Sequence, residues 1–213
     1  MRYKRNQVEE AISRVSNPLS PRPDSELRTR LKRLLDTDRA LGRSKRSQDP
    51  GQQDFAFYSM DAPGRGAEIW FSEYEAFGLF TALRLMHSGF PQGLAVVLMR
   101  HVRTDLEKQH AWILKQHPAR PFDQRVIDQQ LKPGDLYVGN ANPMFLAITA
   151  GERNHLSEPF SYGICRGQAQ LMHLIRRASP VGLSWTVLEL VNPTHSLSFA
   201  LAQTKPRKRG RGK

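Results

Sequence analysis

The sequence predicts an α+β chain with a helix-rich domain over residues 1–118, a small α/β domain over 119–204 and a basic tail over 205–213. Three observations predict it. Apolar residues at helical spacing, punctuated by caps and breakers, dominate the first half. Beyond Pro118 short strand-like runs alternate with amphipathic segments, the pattern of a small α/β layer. Charge is also segregated. Residues 1–50 hold 13 Lys/Arg against 7 Asp/Glu, residues 51–204 hold 13 of each, and residues 205–213 hold 6 cations and no acid, which makes up the formal net charge of +12.

Excess positive charge confined to the two ends implies that those parts meet a polyanion; a basic surface kept only for solubility would spread it. The one cysteine, Cys165, leaves no intramolecular disulfide and suits a reducing compartment. No apolar run approaches the roughly 20 residues that span a bilayer, and the longest, Gly93 to Met99, is far shorter. A soluble protein of the cytoplasm, nucleoid-associated if it binds DNA, with no membrane partner, is the expectation.

In chain order, Val8, Ala11, Ile12 and Val15 predict a short amphipathic helix over 5–16. The three prolines of Asn17–Pro23 break it and form an extended connector. Ser25 offers an N-cap to a helix over 25–41, with Leu27, Leu31, Leu34, Leu35 and Leu41 on one side. Arg28, Lys32 and Arg39 share an arc beside that stripe, and Arg30 and Arg33 flank it. Gly42 stops the helix and 43–53 reads as a polar loop. Phe55–Tyr58 and Ala67–Phe71 read as two strands of a hairpin whose tip, Pro63-Gly64-Arg65-Gly66, carries Arg65. Ser72 and Glu75 form an S-x-x-E capping box that opens a helix over 72–88, apolar around most of its circumference and hence a core helix. Gly89 ends it, Pro91 starts the next, and that helix runs to about 116 before His117-Pro118. The second half offers a helix over 122–131, strands at 136–138, 145–149, 160–165 and 184–190, and helices over 168–178 and 194–203. The tail, with no apolar anchor, should be disordered.

This order of elements resembles the MerR-type winged helix-turn-helix regulators over about residues 1–116. The likeness is carried by Tyr3-Lys4-Arg5-Asn6-Gln7-Val8 entering the first helix, Val8-Glu9-Glu10-Ala11-Ile12 within it, and the basic helix 25–41. The hairpin 55–71, Phe71-Ser72-Glu73-Tyr74-Glu75, and the helix pair broken at Ala82-Leu83-Arg84-Leu85-Met86-His87-Ser88-Gly89-Phe90 complete it. The resemblance implies a major-groove helix presenting Arg28, Arg30, Lys32 and Arg33, with Arg65 at a wing tip against the backbone or minor groove. It also implies a dimer built on a long helix after the helix pair, where Pro118 cuts this helix short.

Motifs of catalysis are sparse. The Glu107–His110 and Glu152–His155 pairs have E-x-x-H spacing, but only the first has helical context, so no metal is expected. Cys165 ends an apolar strand, where a buried thiol is the ordinary outcome; Arg166 and the following helix start could instead lower its pKa. An enzyme of the second half would need Cys165, His155 and His173 to converge. Trp70, Phe77, Phe80 and Trp185 fall on predicted core faces. The sequence therefore points to a DNA-binding transcriptional regulator with a second domain for a ligand or partner, with RNA or a ribonucleoprotein as the alternative and an enzyme third. The candidate nucleic-acid contacts are Arg28, Arg30, Lys32, Arg33, Arg39 and Arg65, with Lys205, Arg207, Lys208, Arg209 and Arg211 of the tail. No catalytic residue and no cofactor is assigned.

Overall fold

The computed structural model describes residues 1–19, 22–59, 69–150, 160–177 and 184–206. Among these the chain is α+β, with eight helices and two small antiparallel sheets. It divides into two compact units, Met1–Arg103 with Ser196–Lys213, and Thr104–His195. No helix of the described residues is long and apolar enough to cross a membrane.

The first unit opens with β1 (Tyr3–Lys4) and α1 (Arg5–Ser16). Val8, Ala11 and Ile12 are buried, as their spacing requires. Helix α2 (Ser25–Ala40) follows the connector, capped by Asp24 rather than Ser25: the Asp24 carboxylate accepts from the Leu27 N–H at 2.7 Å. A carboxylate at that position also meets the positive end of the helix dipole. Leu31, Leu34 and Leu35 are buried, whereas Leu41 is exposed, because the helix ends at Ala40 and Gly42 turns the chain with φ +64°. A four-residue helix α3 (Pro50–Gln53) lies in the segment expected to be loop.

The expected hairpin is corrected. Phe55–Tyr58 is buried but is not a strand. Its backbone is satisfied elsewhere: Ala56 and Phe57 N–H each donate to the Asp38 carboxylate at 3.0 Å. That carboxylate, fully buried, also accepts from Arg100 Nε at 2.7 Å, and Arg100 Nη1 donates to the Gly42 and Gly51 carbonyls at 2.8 and 3.3 Å. Arg103 Nη1 donates to the Phe55 carbonyl. The apolar run is thus pinned to α2 and to the helix that carries Arg100 and Arg103 by side-chain charges instead of a ladder. Strand β2 is Trp70–Phe71, and its partner is β1, with Tyr3 opposite Phe71 and Lys4 opposite Trp70. In this ribbon Tyr3 and Phe71 are buried while Trp70 is 43% exposed, so its expected place in the core is also corrected.

Helix α4 (Glu73–His87) starts at the predicted capping box: Ser72 Oγ accepts from Glu75 N–H at 3.1 Å and Glu75 Oε2 from Ser72 N–H at 2.6 Å. The remaining Glu75 oxygen accepts from Ser59 Oγ at 2.6 Å, which explains how a carboxylate can be buried there. Tyr74 through Leu83 are buried, Thr81 included, so the helix threads the core. Gly89, with φ +93°, breaks the chain before α5 (Gln92–Leu114). The unit is completed by the last part of α8 (Val191–Gln203): Gln7 Nε2 donates to the Thr204 carbonyl at 3.2 Å and to its hydroxyl at 3.3 Å, and Arg14 Nη1 to Gln203 Oε1 at 3.3 Å.

The second unit holds the end of α5, α6 (Gln124–Gln130), and a sheet of β3 (Met144–Ala150), β4 (Phe160–Arg166) and β5 (Trp185–Glu189) in the order β4-β3-β5, with α7 (Gly167–Arg177) following β4. Residues 136–138, expected as a strand, are not one; Gln168 instead bonds both backbone groups of Leu136. Phe145, Ala147, Cys165 and Leu171 form the core between sheet and α7, with Leu174, Ile175 and Trp185 packed against it. On the opposite face Tyr162 reaches Asp105 at 3.5 Å, and Arg166 donates to Gln109 at 2.8 Å and lies over the Trp112 ring. Glu189 accepts from the Val191 and Asn192 N–H groups and so caps α8, while Asn140 Nδ2 bridges Glu189 and Asn192.

Candidate nucleic-acid interface

A helix can present cations to phosphate only if its other side is firmly seated, and α2 meets that condition. Leu31, Leu34, Leu35 and Asp38 face α1, α4 and α5, and Gln92 Nε2 ties the far end through Thr37 Oγ1 at 2.6 Å and the Arg33 carbonyl at 3.3 Å. The outward side carries Arg28, Lys32, Arg33 and Arg39, all exposed, and the half-exposed Arg30.

These cations are not equivalent. Arg28 lies 3.8 Å from Glu9, which also accepts from Arg5 at 2.7 Å. Arg30 pairs with Glu26 at 2.5 Å and meets His87 Nε2 at 2.9 Å, and Arg39 lies 3.8 Å from Asp36. Lys32 and Arg33 have no side-chain partner among the described residues, so their charge is uncompensated locally. Partly exposed ion pairs contribute little to stability, roughly 0–1 kcal/mol each, and Arg28 and Arg39 can exchange an acid for a phosphate at small cost. Arg30, held from two sides, is the least available.

Lys205 is exposed. Arg65 and the tail residues Arg207, Lys208, Arg209 and Arg211 lie outside the described residues. Beside α2 a cleft of about 210 Å³ is lined by Ser13, Asn17, Arg22, Glu26, Arg30 and His87. Sequence reasoning missed the Asp38–Arg100 pair that seats α2. A signal existed: Asp38 falls seven residues after Leu31 and four after Leu34, on the leucine side, where an acid requires a partner.

In the second unit Cys165 is buried and its thiol is pushed up in pKa by that burial, opposite to the activation that Arg166 could have given; the Arg166 guanidinium lies on Trp112 instead. Cys165 and His173 line one open groove of about 610 Å³, and His155 lies outside the described residues. His110, buried, is pushed down to about 4, first by burial and then by the charge of His195; His195 is itself lowered by burial and packs edge-on to Phe122. No group of three or more metal-ligating side chains occurs among the described residues. A second groove, of about 560 Å³, is lined by Ile127, Leu131, Leu136, Tyr137 and Met172. No protein-family model matches this chain, and no curated protein matches it.

Proposed function

We propose that the chain is a DNA-binding transcriptional regulator whose first unit reads duplex DNA through α2. The observation that carries this is the outward side of α2, where Lys32 and Arg33 have no acid beside them among the described residues and Arg28 and Arg39 have only loose ones. Phosphate neutralisation by Lys and Arg releases counterions and supplies most sequence-independent affinity, while side chains from a helix in the major groove read bases. The winged helix-turn-helix resemblance gives α2 that groove and gives Arg65 a backbone or minor-groove contact. The basic residues 205–213 add general attraction. The second unit, with its largely apolar groove at Leu131, Leu136 and Met172, is the seat of a ligand or partner.

Binding of the full chain to duplex DNA and to structured RNA over a salt series tests the reading. Lys32→Ala and Arg33→Ala should each flatten the slope of log affinity against log salt by about 0.9 for a lost contact to B-DNA phosphate, whereas Arg30→Ala should change it least. Charge reversal of Arg28 and Lys32 should abolish any sequence preference. A preference for RNA over every duplex would move the proposal to RNA, and indifference to all of these substitutions would end it.

A further inference from the structure

The outward face of the β1–β2 ribbon has no role in the reading above. Register sends Tyr3 and Phe71 inward, 5% and 0% exposed, and so turns Lys4 and Trp70 to the other side. Trp70 carries the Lys4 ammonium 5.1 Å from its ring centre. A large indole left in water forgoes the gain of burial; its ribbon is seated from behind by the buried Tyr3–Phe71 pair and is followed at once by the Ser72 cap. The ribbon runs directly into α1, whose first residue, Arg5, donates to the Arg28 backbone carbonyl of α2 at 3.5 Å. Arg5 thus ties the end of the ribbon to α2, where it and Arg28 share the Glu9 carboxylate.

An exposed aromatic ring beside a cation fits a nucleobase, whose π-face stacks on it while its phosphate meets the positive charge. We infer that Trp70, with Lys4, is a stacking site for an unstacked base, one exposed where the DNA held by α2 is kinked or unpaired. This rests on the DNA-binding reading. It adds to that reading a preference for distorted DNA, which an α2 contact alone does not provide.

The test uses the full chain with a mixed-sequence duplex and the same duplex carrying one unpaired 2-aminopurine. The wild type should bind the second duplex more tightly and quench its 2-aminopurine. Trp70→Ala should lose about ten-fold in affinity for that duplex, and the quenching with it, while binding the perfect duplex within about two-fold of wild type. Trp70→Phe, which keeps an aromatic face, should retain most of both. Bound DNA whose 2-aminopurine is quenched equally by wild type and Trp70→Ala overturns the stacking site and leaves the DNA reading standing, as does wild-type binding without quenching. Failure of the wild type to bind either duplex overturns both.

Discussion

Single residues carry much of what holds this chain together, and the least replaceable are charged. Arg100 and Asp38, 3% and 0% exposed, join α2, α5 and the segment 42–57. Arg100→Met would leave a buried carboxylate uncompensated and should cost about 3–5 kcal/mol. In a double-mutant cycle by urea unfolding, adding Asp38→Ala should cost far less than the sum of the two single changes. His110 gives the second unit a pH dependence. Its folded value of about 4 lies below the ordinary 6.5, so the unfolded chain takes up the proton first. Stability is therefore complete above the unfolded value and is lost as pH falls from 6.5 toward 4, by about 3 kcal/mol for this group; His195 acts in the same direction. Unfolding measured at neutral pH and at about pH 5 should show the loss, and His110→Gln should flatten it.

At the level of elements, caps and periods are local properties, and what is local was legible. The span of α1, the body of α2, the Ser72–Glu75 box and the Gly89 break all follow from residues within one or two turns of each other. Ser72→Ala should cost about 1 kcal/mol as a lost cap. Glu75→Ala should cost more, because it strands both the Ser72 N–H and the Ser59 hydroxyl; thermal melts of the two variants compare them. What depended on distant partners was not legible. The run Phe55–Tyr58 has strand composition, yet its N–H groups go to a carboxylate 18 and 19 residues earlier in the chain. Trp70 reads as core until its strand is paired with Tyr3–Lys4, which assigns the outward face. The cationic residues of α2 were equally visible in composition, but the separation of Lys32 and Arg33 from Arg30 depends on where Glu26 and His87 come to lie. Asp24 takes the N-cap in place of Ser25, so the helix begins one residue earlier than a Ser25 cap requires.

For the whole molecule, the first unit is discontinuous in sequence: residues 196–213 return to it after the second unit has been made. The return is anchored, since Gln7 is bonded to Thr204 and Arg14 to Gln203. A chain stopped after His195 should keep α2 and α4 but lose protection of α1 amides in hydrogen exchange, with Gln7 left as a buried amide lacking its acceptor. Both basic stretches of the sequence, residues 1–50 and 205–213, thereby belong to one unit.

The Gln7–Thr204 bond also bears on the order in which the protein comes into being. Translation delivers the chain from its first residue onward, at about 5–20 residues per second. Helix α1 therefore emerges early, with its Thr204 partner still unmade, and waits while the whole second unit is synthesised. During that interval the surface that residues 196–206 will cover is open to water and to other chains. The second unit, contiguous in sequence, has no such wait and can fold as it emerges. Closure of the first unit therefore comes last, after the second unit has been synthesised, because its final segment is the last to be made.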